Sequence, residues 1–489
     1  MSGRPEFRPR AGAEAVAANL AEGPPLSAQE ARLEAARCLY CFDAPCIHAC
    51  PTGIDVPGFI KKIASGRLRG AARTIYAANV LGASCARVCP TAELCEGACV
   101  LLDRDQQPIE IGRLQRYATD YANAHGMPLV ESQAAPSGKR VALVGGGPAS
   151  LACAAELARL GHHAVIYERS EHAGGLNTYG VAYYKMPPEV SLLEVRQIEA
   201  LGVEIRTGVE VGRAVSVSDL RREYDAVFFG VGLGRTHALG IPGEDLPEVV
   251  EALAFIRRLR TEPLGSVPVG RRVAVIGCGN TAIDAVTQAL RVGAETAVIV
   301  YRRAADAMTA YPFEYELAKS DGAEFIFNAA PIAVLGDDHV RALQLVRTQI
   351  GAAGNVEPVP GSEFELPVDM VIKALGQERQ RALLLGLLPE LELDADGVIV
   401  RDFATGRTNV AGVYAGGDAA NGGSEVVDAV ADGRRAARGI HEQLAGHRES
   451  GPVQTTRLGV ASVASGAGLD APVRVRELEA QYEDRRRRG

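Results

Sequence analysis

Apolar positions follow three rhythms along the chain. From Ile54 to Gly82, in IDVPGFIKKIASGRLRGAARTIYAANVLG, the residues Phe59, Ile60, Ile63, Leu68, Ala71, Ala72 and Ile75 recur at helical intervals, the spacing of helices with one buried face. From Arg140 a short apolar run, RVALV, enters the glycine cluster GGGPAS; a helical stretch and a second apolar run ending at Glu168 follow. The same succession returns in RRVAVIGCGNTAIDAVTQALRVGAETAVIVYRR. A shorter version follows, with an apolar run, then Gly416, Gly417 and Asp418, then a helix from near Ser424. Strand, glycine turn, helix and strand in succession predict βαβ units. The expected fold class is therefore α/β, a small helical domain followed by two Rossmann-like dinucleotide-binding domains.

The glycine turns say what such units bind. Gly145 and Gly147 permit a tight turn and close approach of a pyrophosphate, while Pro148, Ala149 and Ser150 open a helix whose N-terminus attracts its charge. Glu168, at the end of the second strand, can accept hydrogen bonds from ribose hydroxyls. In the second unit Gly277 and Gly279, with Asn280 and Thr281, occupy the turn, but the second strand ends in Tyr301, Arg302 and Arg303. Arginine in place of the acid leans toward a 2′-phosphate and so toward NADPH; the rival reading is that these arginines cap the strand in solvent. Two units imply two dinucleotides. The Gly417-Asp418 segment resembles the one that closes the FAD site of two-dinucleotide-domain flavoproteins, and it returns after the second unit. An NAD(P) domain inserted into a discontinuous FAD domain is the expected arrangement.

Cysteine usage adds a different chemistry. Eight of the ten cysteines lie between Cys38 and Cys99, and a long chain without a secretory leader is expected to hold such thiols for metal rather than disulfides. Cys153 and Cys278 stand singly in apolar surroundings, as small packed side chains. The run C-x2-C-x4-C-x3-C-P from Cys38 to Cys50, and the x3, x5, x3 spacing of Cys85, Cys89, Cys95 and Cys99, fit iron–sulfur ligation better than the paired C-x2-C of zinc modules. Two [4Fe–4S] clusters are expected, with a zinc-stapled nucleotide-binding regulatory module as the rival.

Composition narrows the setting. A net charge of −8 argues against nucleic-acid binding, which needs a basic surface. The N-terminal stretch MSGRPEFRPRAGAEAVAANLAEGPPLS lacks the apolar core of a signal peptide, and no uninterrupted apolar run is long enough to span a membrane. A cytoplasmic protein with no membrane partner is expected.

The motifs CLYCFDAPCIHACPTGIDVPGFI, CARVCPTAELCEGACVL, IEIGRLQRYA, GGGPAS, GGLNTYGVAYYKMP, GCGNTAID and AGGDAANGGSEVVDAV together resemble the electron-input half of dihydropyrimidine dehydrogenase. The likeness runs from about Arg32 to about Leu444 and is greatest to the separate bacterial subunit that carries this half. The glutamate synthase small subunit and the large subunit of electron-bifurcating transhydrogenase share the architecture; DAPC and CPTAELC favour the pyrimidine family. The resemblance implies one cluster on Cys38, Cys41, Cys46 and Cys99 and another on Cys50, Cys89, Cys95 and Gln115, which leaves Cys85 without a cluster. It implies that Gly175 and Leu176 line the flavin by backbone and Lys185 by charge, although Lys185 reads equally well as a solvated lysine.

The expected domains are an extension (1–30), an iron–sulfur domain (31–126), a linker (127–138), an FAD domain (139–240 and 372–446), an NAD(P) domain (241–371) and a tail (447–489). The cofactors are FAD, two [4Fe–4S] clusters and NADH or NADPH; the arginines lean to NADPH, but the pyrimidine resemblance implies NADH and tips the expectation that way. The implied partner is an FMN and iron–sulfur subunit that reduces uracil or thymine, in a heterotetramer. The tail is too short for such a domain, so the chain alone is not expected to reduce uracil, and its closing arginines read as a solvated terminus. No catalytic side chain is expected beyond the cofactor sites, because hydride transfer mainly needs the two rings held face to face.

Overall fold

The computed structural model describes residues 12–104, 106–352 and 354–447; the tail beyond, with its arginine run, lies outside the described residues. The chain divides into two units, one made of 12–23, Tyr179–Pro188 and Gly234–Glu378, the other of Pro24–Thr178, Glu189–Leu233 and 379–447.

In the larger unit the RVALV run forms the central strand of a five-stranded parallel sheet. The order is Val413–Ala415, Ala226–Phe229, Arg140–Val144, His163–Tyr167 and Glu204–Arg206. Four of the five residues of Arg140–Val144 are buried, as a strand covered on both faces requires. The helix Pro148–Arg159 starts with Gly147 as N-cap and proline in its first turn, where the missing N–H costs nothing. It packs against the long helix Val426–Ala445 at Gly433, where a Cβ would come within 2.0 Å of the Ala149 carbonyl oxygen.

Helices Ala28–Ala36, Val56–Ala64, Leu68–Ala78, Gly82–Val88 and Ile111–Ala124 build the cysteine-bearing domain. Phe59, Ile60, Ile63, Ala71, Ala72 and Ile75 are all buried, in one apolar core shared with Leu143, Leu151, Val430 and Ile440 of the flanking α/β domain. The helical periodicity thus points inward as expected. The expected linker 127–138 is partly packed: Met127 and Leu129 are buried, and Ala134 N–H donates to the Arg159 carbonyl.

The smaller unit repeats the parallel topology with strands Val249–Glu251, Met370–Lys373, Arg272–Ile276, Thr296–Tyr301 and Glu324–Phe327. Met370–Lys373 pairs with the central strand of this sheet, so the unit runs past the expected boundary at 371. It also holds an antiparallel sheet of Ala329–Leu335, Ala342–Ile350, Val356–Pro358 and Phe364–Pro367 that the sequence reading did not anticipate. Within the expected extension, helix Ala13–Asn19 places Val16, together with Leu20 just beyond it, in the core of this unit.

A buried charge network joins the two packed helices of the larger unit. Glu156 lies 3.0 Å from Arg438, 3.2 Å from Arg159 and 3.8 Å from Arg434. Burial pushes its carboxyl up, but Arg434, Arg159 and Arg438 outweigh burial and hold it at about 2. A folded-state value below the unfolded one gives stability that is present above about 4.5 and is lost as the pH falls toward 2. Glu156→Gln is therefore expected to lower the unfolding free energy at neutral pH by about 3–5 kcal/mol and to flatten the acid limb between those values. Urea unfolding at several pH values measures both.

Candidate functional site

Gly145 takes φ +90°, and a Cβ there would lie 2.6 Å from the Gly230 carbonyl oxygen. No other residue type makes this turn without moving backbone. The next glycine, Gly146, donates its N–H to Glu168 Oε2 at 2.7 Å, and Ser170 N–H donates to Oε1 at 2.6 Å. Backbone N–H groups thus fix the orientation of the acid at the strand end. Glu168 lines a cleft with Val144, Gly145, Tyr167, Arg169 and Gln380.

Gly174 N–H donates to the Gly146 carbonyl, and Gly175, at φ +56°, packs so closely that a Cβ would sit 2.8 Å from Gly147 Cα. Leu176 follows, partly exposed. From the far end of the chain Gly417 approaches the helix so closely that a Cβ there would lie 3.0 Å from Ala149 Cβ, and it donates its N–H to Asp432 Oδ2 at 3.0 Å. Asp418 lies beside it; burial raises its carboxyl to about 6. Gly145, Gly147, Pro148, Ala149, Ser150, Glu168, Gly175, Leu176, Gly417 and Asp418 are therefore assembled in one unit. Ser150 Oγ is buried there without a partner. Glycine-lined backbone, a helix N-terminus and an oriented acid are the donor set that FAD fits.

Lys185 belongs to the smaller unit. Its Nζ lies 2.7 Å from Asp284 and 2.6 Å from Glu314, in the unit of the second glycine loop. Two carboxylates answer its charge and its side chain is mostly covered, so it is not a solvated lysine. The sequence held no sign of this, since its partners are 99 and 129 positions away.

The second loop opens onto a cavity of about 700 Å³ lined by Gly277, Gly279, Asn280, Thr281, Tyr301, Arg302 and Arg303, among others, within the volume of dinucleotide-sized pockets. Gly277, at φ +122°, would bring a Cβ 2.2 Å from the Ala374 carbonyl oxygen. Asn280 turns its side chain inward, accepting from Tyr311 N–H at 3.0 Å. Arg302 and Arg303 are exposed at the cavity wall, and among the described residues no carboxylate pairs with either.

The cysteines gather in two neighbouring groups. Cys38, Cys41, Cys46 and Cys99 line one cavity with Val56, Pro57, Ile60, Leu101 and Ile111. Burial, then Cys99, Cys38 and Cys41, push the Cys46 thiol up. Around Cys89, whose thiol is raised first by a hydrogen bond with Cys85 and then by burial, stand Cys50 and Cys95; Cys95 also feels Cys46 of the other group. Gln115 is buried, its amide Nε2 donating to the Gly82 carbonyl at 2.8 Å, which leaves the amide oxygen to face elsewhere.

Among the described residues no three His, Cys, Asp or Glu side chains converge as a single metal ion requires. Cys38, Cys41, Cys46 and Cys99 line one shared apolar cavity, and four thiols are the donor set of a [4Fe–4S] cluster. The chain's own groups would thus supply dry walls and thiols that give up protons when iron binds. Cys85, which the resemblance leaves without a cluster, is beside Cys89 and belongs to the site's surroundings.

Residues 18–127 match the family described as dihydropyrimidine dehydrogenase domain II, 4Fe-4S cluster, and residues 139–433 that of pyridine nucleotide-disulphide oxidoreductases. The glutamate synthase [NADPH] small chain of Halomonas elongata is 37% identical over 86% of this chain and 92% of its own. The subunit PreT of the NAD-dependent dihydropyrimidine dehydrogenase of Escherichia coli is 34% identical over 84% and 94%. The solved structure of Mycobacterium tuberculosis FprA in complex with NADPH shares the fold, with a TM-score of 0.52 and 23% identity over 64% of this chain and 87% of that one.

Proposed function

This chain belongs to the pyridine nucleotide-disulphide oxidoreductases, as an NAD(P)H-linked flavin and iron–sulfur subunit, and we propose that it is the electron-input subunit of a dihydropyrimidine dehydrogenase. When bound, FAD would accept a hydride from the nicotinamide and release single electrons, which two [4Fe–4S] clusters would carry to the partner. The protein's part is to hold and orient. Gly145–Ser150, Glu168, Gly175 and Asp418 would hold FAD; Gly277, Gly279, Asn280 and Thr281 would hold the nicotinamide nucleotide. Cys38, Cys41, Cys46 and Cys99 would take one cluster; Cys50, Cys89, Cys95 and Gln115 would take the other. The adjacency of Cys46 and Cys95 supports a relay between them.

The observation that carries the pyrimidine reading is Gln115. It is a buried amide, tethered by its nitrogen at Gly82, at the position where the dehydrogenase resemblance implies a glutamine ligand. The partner would be an FMN and iron–sulfur subunit that reduces uracil or thymine. A second reading, the glutamate synthase small subunit, is favoured by the 37% identity to that family against 34% to PreT. Anaerobic nicotinamide oxidation by the complex from its native host separates them. Uracil-dependent turnover supports the first; turnover only with 2-oxoglutarate plus glutamine replaces it with the second.

Arg302 and Arg303 are proposed to read the 2′-phosphate of NADPH. Each charge-assisted contact contributes about 1.5–3 kcal/mol. Replacing both by glutamine is therefore expected to lower kcat/KM for NADPH about 10²- to 10⁴-fold and to leave NADH within about twofold. Equal losses for the two nucleotides would return the arginines to solvent.

A further inference from the structure

Two buried charges of opposite sign reach from the FAD-binding half of the larger unit to one short stretch of its cysteine-bearing domain. Arg434, on the helix Val426–Ala445, donates through Nη2 to the Ala77 carbonyl at 3.0 Å and through Nη1 to that of Ala78. These are the last carbonyls of the helix Leu68–Ala78, which have no partners within their own helix. Glu194, on the helix Pro188–Glu199, accepts through Oε1 from Ala83 N–H at 2.9 Å and Ser84 N–H at 3.0 Å, and its Oε2 meets Ser84 Oγ. These donors open the helix Gly82–Val88.

Each charge has the sign that the helix end it touches favours: a cation at a C-terminus and an anion at an N-terminus. Both are buried, Arg434 at 4% and Glu194 at 1% exposure. Between the two grips, Asn79, Leu81 and Gly82 are buried, and Gly82 is the residue whose carbonyl holds Gln115. The helix that follows carries Cys85 and has Cys89 as its C-cap. One turn beyond Glu194, Gln197 adds a hydrogen bond to Asn123 at 3.0 Å.

Burying such charges is costly unless they are answered. Burial raises Glu194 to about 7 and lowers Arg434 to about 10, and Glu156 and, more weakly, Cys50 act back on Arg434. Apolar packing alone would join the two domains, as their shared core shows. Charges placed at the two ends of the turn that leads to Cys89 and holds Gln115 through Gly82 do more: they fix its position along the interface and set the local field.

We propose that Arg434 and Glu194 form a charged clamp that positions the Ala77–Ser84 turn, and through it Cys89 and Gln115, and that tunes electron transfer from flavin to the second cluster. They are positioning residues, touching neither cofactor. The inference rests on the flavin and two-cluster reading, which the wild-type flavin and iron content test separately.

The experiment uses the full chain with its cofactors, at about pH 8 so that Glu194 is ionised. Flavin bleaching after mixing with reduced nicotinamide, appearance of the reduced-cluster EPR signal, and the cluster midpoint potential are followed in Arg434→Met, Arg434→Lys and Glu194→Gln. Arg434→Met is expected to leave bleaching within about twofold and to slow cluster reduction at least about tenfold, the scale of small misplacements. It should also shift the second cluster toward the oxidised form, about tenfold in the ratio at fixed potential, or about 59 mV for one electron. Arg434→Lys should restore the potential but not the rate. Glu194→Gln should shift the potential the opposite way; its amide can still accept from both N–H groups and donate to Ser84 Oγ, so it carries the test if Arg434→Met does not fold. Unchanged potentials and transfer rates with only a lower Tm, or shifts of the same sign in Arg434→Met and Glu194→Gln, would overturn the clamp.

Discussion

Cys99→Ser is expected to remove about four of about eight iron atoms and to end electron delivery to the partner, while nicotinamide still bleaches the flavin. Cys99 comes from the second cysteine loop yet lines the cavity of Cys38, Cys41 and Cys46 from the first, so it closes that site across more than fifty residues of chain. The cavity is otherwise walled by apolar side chains, and no other thiol lines it to take the vacant position. Because binding free energy at such sites is also folding free energy, the variant should lose thermal stability as well. Iron and acid-labile sulfide per flavin, with turnover to a one-electron dye alongside turnover in the complex, measure these effects. Cys85→Ser is the matched control and should keep its iron. If Cys85→Ser lost iron and Cys99→Ser kept it, the ligand assignment would have to be exchanged.

That pair of variants also marks what could be read from the chain. The βαβ units were legible because their signals are local. A strand, a glycine at positive φ and a helix cap lie within a few residues of one another, and the turn at Gly145 admits no other residue type. The grouping of the cysteines was less legible, since counting divides them four and four whereas the cavity joins Cys99 to the first loop. Only the resemblance suggested that exchange, and with it Gln115.

Other features depend on pairs far apart in the chain. Lys185 meets Asp284 and Glu314, and Arg434 meets Ala77 and Ala78 more than 350 residues away. In sequence these are ordinary charged residues on helices or loops, and only folding reveals their partners. The antiparallel sheet between Ala329 and Pro367 was missed for a related reason: its edge strands are short and half exposed, so their alternation is weak. The helix Ala13–Asn19 was missed because a single turn or two rich in alanine has little periodicity to show.

The second large effect separates the two dinucleotide sites. Gly145→Val and Gly277→Val make the same chemical change at equivalent turns, and both put a β-branched residue where φ is strongly positive, a conformation that costs such a residue of order 1–3 kcal/mol. Each new Cβ also meets a backbone carbonyl, that of Gly230 at 2.6 Å or Ala374 at 2.2 Å, so the loop must shift away from the strand it crosses. The clash is local in each case, but the loss of function should differ. Gly145→Val should yield a protein that keeps its iron and lacks flavin, with no nicotinamide oxidation. Gly277→Val should keep both flavin and iron, and its flavin should still be reduced by dithionite, while reduction by NADH and NADPH falls at least about 10²-fold, the scale of displaced reacting groups. Flavin content and stopped-flow bleaching decide it. Loss of flavin from Gly277→Val with retention in Gly145→Val would invert the two sites, and with them the direction in which hydride enters the protein.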